Sequence, residues 1–365
     1  MSQSPVQSWD LGIGPIYCHA FNKDRTQLAV SSSNLIQIYQ LQNGAWKEVY
    51  VLKEHDLPIT GLDWAPNTNR IVSCSQDKNV FVWTFDNGNW KPELVLVRIN
   101  RGATTVKWSP LENKFAVGSS AKLVAVCYYE RENDWWVSKH LKKPIRSTVT
   151  AIDWHPNNVL LAVGATDFRA RVFSAYVKEV DEKPSPNPWG SKMPFGQVMA
   201  EYVAAGWIKS VSFSPSGCRL AWVAQDSTLS LVDANQDIQK SATVQTTHLP
   251  YATILWVTEN SLVVAGFDCS PMLYTINNGT LSFVSKLDVP PENKNANSIF
   301  QKFRNVDRNA LETLSDLQLK SLHQNAIVQL LPHTGNTQNI VKFTTCGSDG
   351  LVALWDLKNN RAVVH

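Results

Sequence analysis

The chain has 365 residues, 44% of them hydrophobic and 10% aromatic, with a formal net charge of +3. So small a charge excludes a general nucleic-acid binder, which carries a strongly basic face, and no uncharged apolar run reaches the roughly 18 residues of a membrane span. The first ten residues, Met1 to Asp10, lack the basic region and apolar core of a secretory signal, and six scattered cysteines without a C-x-x-C pair fit buried small hydrophobes of a reduced, cytosolic protein.

From the N-terminus the chain repeats one phrase: an apolar strand ending in an aromatic, a Pro or polar turn, a second strand, a small polar turn and a third strand. Blade one is predicted to use Ile16–Phe21, Gln27–Ser31, Leu35–Tyr39 and Trp46–Leu52. The clearest copy runs from Ile59 to Trp64, through Ala65-Pro66, Arg70 to Ser75 and Gln76 to Asn79, to Val80-Phe81-Val82-Trp83. The anchors are Phe21, Trp64, Trp108, Trp154, Phe213, Trp256 and Leu330, separated by 43, 44, 46, 59, 43 and 74 residues. Four of these gaps sit near the ~40–45-residue period of a four-stranded propeller blade. The fold class expected is therefore all-β: a single seven-bladed β-propeller over residues 1–365, a ring that leaves only short sheet edges. Closure needs a terminal strand in the last blade; Val6–Leu11 is the better candidate and Arg361–His365 the alternative.

Three stretches depart from the phrase. The first is cationic: Arg98 and Arg101 precede the third copy, and Lys139, Lys142, Lys143 and Arg146 precede the fourth, in an equivalent connection. They make either a solvated edge or a dock for an acidic segment. The second, 177–205, is a Pro-rich rim insertion whose prolines and glycines exclude a long helix. Its Trp189 and Phe195 make it unlike a plain linker: the loop either packs its aromatics on the rim or offers a surface to a partner subunit. The third, 288–323, has Pro290-Pro291 to stop the preceding strand and contains Ser298-Ile299-Phe300-Gln301, a capping box. Ile299, Phe303, Val306 and Ala310 then form a helical stripe, with Lys302, Arg304, Asp307 and Arg308 opposite. An amphipathic helix near 298–310, inserted between blades six and seven, has no place within a blade. It needs a second surface, either the protein's own rim or a partner's groove.

No catalytic set is legible. H-E-x-x-H, G-x-x-x-x-G-K-[ST] and G-x-S-x-G are absent, and Gly12-x-Gly14 lacks its third glycine and its helix. The eight His have no metal-ligand spacing. No enzyme activity, cofactor or metal is expected, although propeller hydrolases can assemble a site from loops.

The blade turns carry a further regularity: an Asp six residues before an aromatic or apolar residue, as in Asp77/Trp83, Asp167/Phe173, Asp226/Val232, Asp268/Tyr274 and Asp349/Trp355. Here the chain resembles the WD-repeat family, whose internal hydrogen-bond set is matched by His55, Ser73, Asp77 and Trp83. A carboxylate so placed accepts from the N–H groups of a tight turn and orients a neighbouring His, a structural role. Blades one and three depart, with Ser33 and Ala121 at the Asp position, and only Trp355-Asp356 keeps the final dipeptide.

Segments outside the blade motif make the resemblance more specific. Glu132-Asn133-Asp134-Trp135-Trp136-Val137-Ser138-Lys139-His140, Trp189-Gly190-Ser191-Lys192-Met193-Pro194-Phe195-Gly196 and Phe303-Arg304-Asn305, with the phrases around Trp64, Trp108 and Trp154, resemble the propeller-subunit family of the actin-related protein 2/3 complex along essentially the whole chain. That resemblance implies a non-catalytic, cytoplasmic member of a seven-protein assembly that nucleates branches on actin filaments. Its implied partners are two actin-related subunits, small helical subunits, the actin filament and the acidic tails of nucleation-promoting factors. It implies Ile299, Phe300 and Phe303 as anchors in an actin groove with Arg304 beside them. It also makes the cations at 98, 101, 139, 142, 143 and 146 the candidate dock for the acidic tail. The competing reading is a generic WD-repeat adaptor of another cytosolic assembly.

Overall fold

A computed structural model describes residues 7–288 and 321–357. Its strands, numbered β1 to β28 in chain order, form antiparallel four-stranded blades, the last two joined into one eight-stranded sheet by a bridge between Thr258 and Asn339. Each of the seven sequence anchors falls in the first strand of a blade: β2 (His19–Phe21), β6 (Ile59–Trp64), β10 (Ala103–Trp108), β14 (Val149–Trp154), β18 (Ile208–Phe213), β22 (Tyr251–Thr258) and β26 (Ile327–Asn336). Successive first strands pack on one another around the ring. The anchors must therefore fill the space between neighbouring sheets, and Trp64, Trp108, Trp154 and Trp256 are all buried. Second strands such as Leu160–Ala165 and Ser261–Gly266 are buried along their whole length, as a sheet covered on both faces requires.

The ring closes through the N-terminus. Strand β1 (Gln7–Asp10) pairs antiparallel with β28 (Leu351–Asp356), from Gln7 opposite Leu354 to Asp10 opposite Leu351. It thereby supplies the fourth strand of blade seven. The alternative closing segment, Arg361–His365, lies outside the described residues.

The expected rim insertion at 177–205 is too long. Its last part forms β17 (Val198–Val203), the regular outer strand of blade four, paired with Arg169–Ser174. The true interruption is 175–197. Met193 and Trp189 are buried, and the Trp189 indole donates to the Gly217 carbonyl at 2.8 Å while its ring meets Phe213 edge-on at 5.6 Å. Of the two expected roles, rim packing is the one seen for these side chains. A polar core fixes the start of this loop. Lys114 and Asp181 are paired with side chains 0% and 1% exposed. Asp181 also accepts from Val177 N–H at 2.8 Å and from the Asn158 amide at 2.9 Å.

Polar stitches run from blade to blade. The Thr60, Thr104 and Thr150 hydroxyls donate to the carbonyls of Ala103, Val149 and Ile208, each one blade on, at 2.9, 2.7 and 2.5 Å. The insertion helix expected near 298–310 lies outside the described residues.

Candidate functional site

In each blade the loop entering the first strand and the turn between second and third strands lie at the same end of the sheet, because adjacent strands are antiparallel. That end is one face of the ring. It carries the WD-type hydrogen-bond sets, the cationic connections and the two stems of the 288–323 segment.

Blade two holds a complete internal set. His55 Nδ1 lies 2.9 Å from Asp77 Oδ2, His55 Nε2 lies 2.9 Å from Ser73 Oγ, and the Trp83 indole donates to that same hydroxyl at 2.9 Å. Asp77 also accepts from the N–H groups of Asp56 and Asn79. Burial lowers the His55 pKa despite the opposing Asp77 carboxylate. Burial acts to raise the Asp77 pKa, but its hydrogen bonds from Asn79 and His55 outweigh that and hold it below the usual range. The set is a neutral imidazole braced between carboxylate and hydroxyl, suited to fixing a turn.

Blade seven repeats the set with a residue that the spacing did not reveal. His323 Nδ1 faces Asp349 Oδ2 at 3.0 Å, its Nε2 lies 2.7 Å from Thr345 Oγ1, and Trp355 donates to Thr345 at 2.9 Å. Blade four departs from it: Asp167 pairs with the buried guanidinium of Arg171 at 2.9 Å instead of with a His. In blade six the Asp268 carboxylate accepts from Leu249 N–H, while Tyr274 and Tyr251 share a hydroxyl contact at 2.8 Å. Asp226 in blade five accepts from Thr228, through both its N–H and its hydroxyl.

The cationic residues fall into two neighbouring connections. Arg98 and Arg101 lie between β9 (Asn89–Val95) and β10; Lys142, Lys143 and Arg146 lie between β13 (Trp135–Leu141) and β14. The first loop is tied to β13, the strand that leads into the second: His140 Nε2 sits 2.8 Å from the Val97 carbonyl and Ser138 donates to the Leu96 carbonyl. All five of these cations are exposed, and among the described residues none of the five forms an ion pair. Lys139 stands apart from them: it is spoken for by Glu179 at 2.8 Å and lies over the Tyr128 ring. The arrangement can hold an anionic chain by five separate point charges, and it contains no nucleophile–base pair. Among the described residues no cluster of three or more His, Cys, Asp or Glu is placed to hold a metal ion, and no helix is long and apolar enough to cross a membrane. Ile299, Phe300, Phe303 and Arg304 lie outside the described residues.

The WD domain, G-beta repeat family model matches residues 46–84 and 138–174, which contain the blade-two set and the fourth blade's first three strands. Actin-related protein 2/3 complex subunit 1A-B of Xenopus laevis is 55% identical over 96% of both chains. Subunit 1 of Schizosaccharomyces pombe is 42% identical over 94% of this chain and 97% of its own. Subunit 1B of Arabidopsis thaliana is 36% identical over 94% of each. Similarity of this extent spans the irregular segments as well as the blades, and the chain therefore belongs to the family of subunit 1 of the actin-related protein 2/3 complex, as a WD-repeat propeller subunit of that complex.

Proposed function

We propose that this propeller is a non-catalytic cytoplasmic scaffold through which the complex nucleates filament branches, in contact with two actin-related subunits, small helical subunits, actin and acidic activator tails. The observation that carries the reading is identity above one half along nearly the whole chain with a subunit of that complex. The blade face adds a chemical argument. Five exposed cations on two tethered loops present a field that attracts a carboxylate-rich segment and weakens as salt is added. The segment at 288–323 interrupts the same face, and its amphipathic sequence supports a role in gripping actin, with Ile299, Phe300 and Phe303 as anchors and Arg304 beside them.

Co-purification tests the assembly. The tagged chain is expected to recover two actin-like proteins and four smaller ones in equal amounts; recovery alone, or with unrelated partners, would overturn the reading. The acidic dock is tested by reversing Lys142 and Lys143 to Glu in that assembly. Acidic-tail affinity should fall about tenfold and its salt dependence should flatten. Unaltered affinity would move the dock away from these loops.

A further inference from the structure

Ser-Pro pairs occur at Ser4, Ser109, Ser185, Ser214 and Ser270, and there is no Thr-Pro pair. Ser4 lies outside the described residues. Ser109 and Ser214 follow the anchors Trp108 and Phe213, in the turns that leave two first strands. Both are 1% exposed, and their hydroxyls are engaged with Asn113 at 3.1 Å and Ser216 at 3.2 Å. Ser270 is 0% exposed, just before β24 (Met272–Asn277). Among the described Ser-Pro pairs, Ser185 alone is exposed.

The loop around Ser185 is held at both ends and free between them. At one end Asp181 is paired with the buried Lys114; at the other Trp189 is buried, its indole bound to the Gly217 carbonyl. Between these two ties every residue of 182–188 is exposed or half-buried, with Ser185 at the centre. Among the described residues, Glu182 to Pro186 make no hydrogen bond and no ion pair. Their main-chain groups are therefore open to a second protein. Pro186 biases Ser185 toward an extended backbone, the form in which an enzyme can read a short segment from both sides. It also has no N–H, so a site that offers no acceptor just beyond the reacting serine favours Ser-Pro.

We propose that Ser185 is a phosphorylation site for a proline-directed serine/threonine kinase. The Ser185 oxygen attacks the γ-phosphorus of Mg-ATP. The new O–P bond replaces the bond from that phosphorus to the β,γ-bridging oxygen, ADP leaves, and the catalytic aspartate of the kinase accepts the hydroxyl proton. The product carries about two negative charges. Glu182 and Lys183 balance one another in the free stretch, so the phosphate turns a neutral part of the rim acidic. The buried ties at Asp181 and Trp189 are left as they are. The proposal does not depend on the actin reading.

The test uses the full-length chain in its purified complex, with Mg-ATP and a mitogen-activated protein kinase. Ser4→Ala is present in every form, and mass spectrometry locates the phosphate. Ser185 is expected to carry it, while Ser109, Ser214 and Ser270 stay unmodified. Ser185→Ala should lower incorporation into this chain at least about tenfold. Pro186→Ala, which keeps the hydroxyl but restores an N–H, should lower it by a similar factor of about ten. No phosphate at Ser185 would overturn the proposal, as would incorporation unaltered by Ser185→Ala. Full modification of the Pro186→Ala form would exclude the proline-directed class, and the proposal with it. Equal modification of the three buried serines would show that exposure does not select Ser185, and would overturn it too.

Discussion

The Asp63 carboxylate of blade two accepts the main-chain N–H of Trp108 in blade three at 2.7 Å, while its other oxygen accepts from Trp64. One blade further, Lys107 pairs with Asp153, and Asp153 accepts the N–H of Phe213 in blade five. At the closure, Gln329 accepts the N–H of His19 at 2.8 Å. Each group sits immediately before an anchor and reaches the next blade. Burial raises the Asp63 pKa against the nearby Lys107 charge and the two N–H donors. Asp63→Ala strands a buried donor at Trp108 and should cost about 2 kcal/mol, whereas Asp63→Asn should cost about half of that. Denaturant unfolding of the subunit measures both.

The blade-two set should behave as one unit. His55→Ala and Trp83→Phe each remove one side of the shared Ser73 hydroxyl. Single losses of about 1–2 kcal/mol are expected, with a coupling of at least ~0.5 kcal/mol in the double variant. Simple additivity would mean that the two bonds are independent.

The Lys114–Asp181 pair holds the rim loop from inside. Burial lowers the Lys114 pKa, opposed by Asp181. Asp181→Asn alone should cost about 3–5 kcal/mol because it leaves a buried ammonium uncompensated. The double variant Lys114→Met/Asp181→Asn should recover most of that. Equal melting of the single and double variants would contradict the account.

Acid should destabilise the ring through the imidazoles of buried His19 and half-buried His333. Burial brings His19 down from 6.5 to about 4 against a hydrogen bond to Gln329, and burial with the Arg25 and Lys342 charges brings His333 down to about 4. Both stay neutral in the folded ring. Between about 6.5 and about 4 the unfolded chain therefore binds more protons, so stability is full above 6.5 and is lost as pH falls through that window. His19→Gln should flatten the slope of melting temperature against pH there, and an unchanged slope would exclude His19 as a contributor.

Much of the ring was legible because a blade must repeat its packing. Phe21 through Leu330 marked every first strand, and the Asp-to-aromatic spacing found Asp77/Trp83 and Asp349/Trp355 in complete sets. His323 was hidden because it ends the long excursion, where the blade period no longer applies, although it precedes Asp349 much as His55 precedes Asp77. Asp63, Asp153 and Gln329 were missed because their partners lie a whole blade away, and Lys114–Asp181 because it joins a blade to an interruption. The strand Val198–Val203 was absorbed into the interruption since Val-Met-Ala-Glu-Tyr-Val lacks the alternation of apolar and polar residues that marks an outer strand. Of the cationic candidates, the neighbourhood of the two loops is seen; the pairing of Lys139 with Glu179 needed three dimensions.

The propeller fixes the fold, and the break between blades six and seven is proposed to supply the grip on actin. Branch density along filaments, formed by reconstituted complex carrying Phe300→Ala/Phe303→Ala, tests it most directly. The account predicts at least about a tenfold loss of branches, with the ring's melting temperature and the recovery of the other subunits unchanged. Natural branch density from that complex would contradict it.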